Sequence, residues 1–190
     1  MWRGVGTAGV ALGVSAATLL PVATADVGMP DLSRYTDANI RDYFTYYYYP
    51  TTDGAQFVTP GGYRCRTSFT DKADVMQVAC WGSLPGTSYN TVGMASLPTK
   101  FEPAAFGNGD LAAMDRYRTM GNNGQVEDRT LGPDAYKPLP AGNKITQTSW
   151  KSGPVATCVV DIDLTACVID VSSPDQRHGF VLSPRGSSTF

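Results

Sequence analysis

Glutamate is nearly missing from this 190-residue chain: Glu102 and Glu127 are the only two. Charged residues make up 17% of it, below the roughly 25% usual for soluble domains. So little Glu and Lys, set among 20 Gly, 13 Pro and 10 Tyr, argue against a helical bundle or a coiled coil. A basic face is lacking too. The formal net charge of −2 argues against a nucleic-acid binder, which normally carries one. There is a single histidine, His178, and no Cys-x-x-Cys, so the common zinc ligand sets are not present and no metal is expected. What the chain does have is a hydrophobic fraction of 42%, enough for one modest domain to bury a core without help.

The first 25 residues read as an address. They carry one charge, Arg3, and from Gly4 to Val22 every side chain is apolar, small or hydroxylic. The run ends in Leu19-Leu20, Pro21 breaks it, and Ala23-Thr24-Ala25 supplies a small-x-small cleavage site. That is the layout of a secretory signal peptide. A membrane anchor is the competing reading, but Gly4, Gly6, Gly9 and Gly13 dilute the hydrophobicity and no basic stop-transfer cluster follows. Residues 1–25 are therefore expected to be a signal peptide and 26–190 a single secreted domain. Cleavage removes Arg3 alone and moves the formal charge from −2 to −3. No later apolar stretch approaches the ~18 residues of a membrane span, so none is expected after cleavage.

All four cysteines lie in the mature part: Cys65, Cys80, Cys158 and Cys167. Four cysteines allow three pairings. Cys65 and Cys80 flank the polar, turn-like Thr70-Asp71-Lys72-Ala73-Asp74, and Cys158 and Cys167 are flanked by Val159-Val160 and Val168-Ile169. Each pair looks like two strands of a hairpin, which favours Cys65–Cys80 and Cys158–Cys167 in an oxidising compartment.

Along the mature chain, 26–30 reads as a loose terminus. Thr36 reads as the N-cap of a short helix through Phe44, after which the aromatic run Tyr46-Tyr47-Tyr48-Tyr49 takes on strand character until Pro50. Strands are expected at 56–59, 63–69, 75–81, 144–150, 155–161, 164–171 and 179–182. The segment 82–132 is rich in turn residues and is the least legible, with a helix at 110–117 or a strand at 117–120. Short strands interrupted by Gly, Pro and Asn point to a mainly β fold, or α+β with one short N-terminal helix, built as a small disulfide-pinned sandwich or barrel. A faint echo joins the halves. Phe57-Val58-Thr59-Pro60-Gly61 and Phe180-Val181-Leu182-Ser183-Pro184-Arg185-Gly186 share a Phe-Val, hydroxyl, Pro, Gly order, and each half holds one Cys-strand-turn-strand-Cys unit.

Chemistry is thin. His178 is the one imidazole base, and Asp170, Asp175 and Ser183 are near it in sequence. However, no Gly-x-Ser-x-Gly is present and Ser183 precedes Pro184, so no catalytic residue is assigned. Asp161 and Asp163 share a strand face, most simply as the solvent side of a hairpin. Gly107-Asn108-Gly109 and Gly121-Asn122-Asn123-Gly124 are turn chemistry, because neither leads into Gly-Lys-Ser/Thr. In a strand, alternate tyrosines face opposite ways: Tyr46 and Tyr48 are expected to pack inward, leaving Tyr47 and Tyr49 as candidate binding residues. Packing of the whole run into the core is the plainer alternative.

The segment Phe57-Val58-Thr59-Pro60-Gly61-Gly62-Tyr63-Arg64-Cys65 resembles the Phe-x-Thr/Ser-Pro-Ser-Gly-Asn-Ile-x-Cys opening of an uncharacterised secreted domain family of mycobacteria and other actinobacteria. Val78-Ala79-Cys80, Leu139-Pro140-Ala141-Gly142, Cys158, Cys167 and His178-Gly179-Phe180-Val181-Leu182-Ser183 are similar to its later elements. Gly61-Gly62-Tyr63-Arg64 stands where the family has Ser-Gly-Asn-Ile, so no role of that Asn carries over. The resemblance implies a small exported β domain with two intradomain disulfides and no particular activity. The expected function is a secreted, non-enzymatic binding or structural domain of the cell envelope or medium, without a cofactor, whose partner is an envelope glycan or protein. A hydrolase working through His178 is the alternative.

Overall fold

Two cysteine-bearing hairpins, one in each of two sheets, form the centre of the fold. The computed structural model of the chain describes residue 1 and residues 28–48, 51–149, 153–171 and 177–190. The expected signal segment and Tyr49 lie outside the described residues. In chain order the strands are β1 (Thr36–Asp37), β2 (Phe44–Tyr48), β3 (Thr52–Val58), β4 (Arg64–Thr70), β5 (Val75–Trp81), β6 (Thr91–Ser96) and β7 (Phe101–Gly107). One turn of helix, α1 (Leu111–Met114), precedes β8 (Arg116–Met120) and β9 (Val126–Thr130). The chain ends with β10 (Asn143–Thr148), β11 (Val155–Asp161), β12 (Leu164–Asp170), β13 (His178–Leu182) and β14 (Ser188–Thr189).

Eight strands form one sheet in the order β7-β6-β5-β4-β3-β2-β8-β9, and six form the other in the order β1-β10-β11-β12-β13-β14. The two sheets pack face to face as a β sandwich, with the small sheet lying over β4 to β7 of the large one. The barrel alternative is thereby set aside. Both disulfides form as the hairpin reading expects: Cys65 pairs with Cys80 across β4 and β5, and Cys158 with Cys167 across β11 and β12. All four cysteines point into the shared core beside Phe57, Phe69, Met76, Ile145, Ile169 and Phe180, with no exposed surface on the cysteines.

Several local expectations need correction. The helix expected from Thr36 does not form. Thr36 and Asp37 instead pair in parallel with Asn143 and Lys144, and Asn39 caps a 3-10 turn over Ile40–Tyr43. A helix of about two turns is too short to hold itself together, and β2 draws the aromatic run into pairing with β3 from Phe44 onward. At 110–117 both alternatives occur in succession: Asp110 caps α1, and β8 starts at Arg116. The terminus is not loose where it is described. Met29, Leu32 and Tyr35 pack on Val159, Ala166 and Val181, covering part of the small sheet's outer face.

Candidate functional site

The outer face of the large sheet carries the most elaborate side-chain chemistry in the described residues. Strand alternation around inward-facing Cys65 and Cys80 turns Arg64, Arg66, Ala79 and Trp81 outward. After β7 the chain crosses this face through α1 to reach β8, and the crossing buries Asp115 to 5% exposure. One oxygen of Asp115, Oδ1, accepts from Trp81 Nε1 at 3.0 Å and from the Tyr136 hydroxyl at 2.8 Å. Arg64 Nε lies 3.0 Å from the same oxygen in an ion pair. Burial, reinforced by the Asp115 carboxylate, holds the Tyr136 phenol well above its ordinary value, so it stays a protonated donor. Three chain segments are tied together here at one sealed carboxylate.

Arg66 sits beside this knot. Its Nε and one terminal nitrogen donate to Gln56 Oε1 at 3.0 and 2.8 Å, and the same terminal nitrogen donates to the Met114 carbonyl. Its guanidinium carbon stands 3.9 Å from the centre of the Tyr46 ring and 5.1 Å from that of Trp81. Burial draws the Arg66 guanidinium below its ordinary value, opposed by Tyr46, Tyr136 and Asp115. Burial also raises the Tyr46 phenol.

Beyond Arg66 the face opens into a groove of about 470 Å³. Its floor follows the register of the sheet in two transverse rows. Arg66 stands opposite Ala79, Ala79 opposite Gly93 and Gly93 opposite Ala105; alongside run Ser68, Gln77, Ala95 and Glu102. Small side chains leave the central strands bare, while Tyr46, Arg66 and Met114 form one wall and Glu102 and Pro103 the other. Gly54, at the end of the second row, is required by a close approach, since a Cβ there would run into the Thr67 carbonyl oxygen.

The residues singled out by sequence are placed as follows. Tyr47 is exposed at 44%, as expected, and Tyr46 packs on Arg66 and Tyr117. Tyr48 does not pack inward: it is 45% exposed, with the Arg118 guanidinium over its ring. Alternation puts Tyr46 and Tyr48 on one face as expected, but that face is the outer one shared with Arg66 and not the core face, and it is covered at Tyr46 and open at Tyr48. His178 stacks on Phe101 with ring centres 4.6 Å apart. Asp170 is paired with Arg177 at 2.9 Å. Ser183 is buried, its hydroxyl accepting from the Arg185 amide at 3.2 Å. Among the described residues no hydrogen bond joins His178 to a Ser or Asp; Asp175 lies outside them. Asp163 lies in the β11–β12 turn, and Asp161 accepts from the Ile162 amide.

Arg66, Asp115, Tyr136 and the bare rows were not foreseen. Their one sequence signal is Arg64-Cys65-Arg66, two charges bracketing a core residue, which marks an outward face that something must cover or contact. Among the described residues no group of His, Cys, Asp or Glu is assembled to hold a metal ion, and no helix is long and apolar enough to cross a membrane. Fold and site define a disulfide-pinned β sandwich with an open groove on one sheet face. No protein family, characterised protein or solved structure matches the chain.

Proposed function

We propose that the chain is an exported, non-enzymatic binding module of the cell envelope or extracellular medium, and that the groove across β4 to β7 is its binding face. The observation that carries this reading is the small-residue row Ala79, Gly93 and Ala105 beside Arg66 and Tyr46. A sheet face so bare, next to a guanidinium already fixed by Gln56 and Tyr46, offers apolar area with rigid polar groups at its margin. Gln77 and Glu102, both exposed, add amide and carboxylate partners suited to the hydroxyls of an envelope glycan. The leader-like N-terminus, the two disulfides and the resemblance to secreted actinobacterial domains support export.

The test is a screen of the mature protein against envelope glycans and polymers, run beside a hydrolase panel, with Ala105→Trp as the groove-filling variant. Ala105 is exposed on the edge strand β7, so the variant should keep its melting temperature while losing binding. Binding indifferent to Ala105→Trp would overturn the groove as the site. Turnover of any substrate would overturn the non-enzymatic reading.

A further inference from the structure

A second cavity, of about 220 Å³, opens at the side of the sandwich where the small sheet stops short of β2. Phe44 and Asp53 come to it from β2 and β3, and Ile40 and Arg41 from the 3-10 turn. Its back is Gln147 of β10, 3% exposed, which is held between the sheets: its Oε1 accepts from the Thr67 hydroxyl at 2.6 Å and its Nε2 donates to the Asp53 carbonyl at 3.4 Å. Tyr47 stands directly opposite Asp53, so its exposed ring shares the face of the Asp53 carboxylate.

Two opposite charges line this small space without neutralising each other. Among the described residues no ammonium or guanidinium lies within ion-pair distance of Asp53, and Arg41 makes no ion pair either. Partial burial raises the Asp53 carboxyl above its ordinary value; its own backbone N–H opposes this and the Asp71 charge adds to it. An ammonium at this point would relieve both the burial and the repulsion.

We infer that the cleft binds a small zwitterion of the amino-acid type, with its ammonium on Asp53, its carboxylate on Arg41 and an apolar substituent against Ile40 and Phe44. The two charges set the ends of the ligand, and the size of the space limits it to something near a single residue. This site is separate from the outer groove and does not depend on its reading.

The test is an NMR titration of the isotope-labelled mature protein with phenylalanine and leucine. Phenethylamine and 3-phenylpropionate, each lacking one charge, run alongside. Shifts should centre on Ile40, Asp53 and Gln147. Each half-ligand, and each of Asp53→Asn and Arg41→Gln, should weaken binding about tenfold or more, as loss of a charged hydrogen bond does. Ala105→Trp should bind the amino acids unchanged. Half-ligands that bind as well as phenylalanine, an Asp53→Asn protein of unchanged affinity, or no shift at millimolar amino acid would each overturn the inference. Arg41 is exposed, so its variant reads binding even if Asp53→Asn alters the fold.

Discussion

Phe180 stands directly across from Cys167, and in the other sheet Phe57 stands directly across from Cys65. Extending each pairing gives two rows facing each other through the core: Phe57, Cys65, Cys80 and Val92 in the large sheet, and Phe180, Cys167, Cys158 and Ile145 in the small one. Each row is a phenylalanine, a disulfide and an aliphatic residue, with at most 1% exposure at any position. The echo between Phe57 and Phe180 in the sequence is therefore an echo in space. Each strand also ends in a hydroxyl-fixed turn: Thr59 Oγ1 accepts from the Tyr63 amide at 3.3 Å, and Ser183 Oγ from the Arg185 amide at 3.2 Å. Gly62 closes the first turn at φ 83°, a conformation that excludes ordinary side chains.

Non-reducing peptide maps of the purified protein should contain two linked pairs, Cys65 with Cys80 and Cys158 with Cys167. Each bridge restrains the unfolded chain by roughly 2–4 kcal/mol, so reduction under denaturing conditions followed by alkylation should leave a protein that refolds poorly. A peptide joining Cys65 to Cys158 or Cys167 contradicts the paired rows.

Asp115→Ala should be among the most damaging single changes on the outer face. It leaves Arg64 without its ion-pair partner and Trp81 and Tyr136 without an acceptor, at a cost of roughly 3–5 kcal/mol. Urea unfolding checks the magnitude. A loss below about 1 kcal/mol means the three donors find other partners.

How much of this was legible depends on where each residue's partners come from. The arms around the cysteines could be read because alternation and turn residues are local; β5 and β11 fall where 75–81 and 155–161 were expected. Strands β6 and β7 lie in 82–132, where the many turn residues hide the alternation. Gly93 lies where a Cβ would press on the Val78 carbonyl oxygen at 3.3 Å, and Pro103 is tolerated on an edge strand. Strand β9, Val-Glu-Asp-Arg-Thr, shows no apolar alternation because it lies beyond the sandwich core. The polar knot could not be read at all. The donors to Asp115 lie 34 and 21 residues away in sequence, and only the crossing of α1 over the sheet brings them together.

The tyrosine run can be divided by mutation. Tyr47→Ala and Tyr48→Ala should each change stability by less than about 1 kcal/mol, as exposed positions do. Tyr46→Ala should cost about 2 kcal/mol, because Arg66 loses the ring that covers it and Tyr117 a neighbour. Thermal melts of the three variants give the order, and a Tyr48→Ala protein as unstable as Tyr46→Ala would contradict the exposed position of Tyr48 on the outer face.

On the export reading, the protein should begin at Asp26, after Ala23-Thr24-Ala25. Intact mass of the protein recovered from culture medium decides it. A chain that still carries Trp2 to Ala25 excludes cleavage at this site.

Asp53 makes stability depend on pH. Its carboxyl is raised above the ordinary value in the folded protein, chiefly by burial. The folded state therefore holds this proton more tightly than the unfolded chain does. The sign is opposite to that of a salt-bridged carboxylate: the contribution of Asp53 to stability is fully present below its unfolded pKa and is lost as pH rises through the raised folded value. At neutral pH the ionised group is a net cost, borne where Asp53 and Arg41 line one cleft without pairing. Asp53→Asn removes that cost, because the amide is neutral throughout. The variant should gain melting temperature relative to wild type as pH increases from the acid side of the carboxylate range to neutrality, then hold a constant advantage. Paired melts from pH 3 to 7 measure the difference. A constant difference across that range, or one that shrinks with rising pH, would show that the carboxylate has a partner and that the cleft carries no free negative charge.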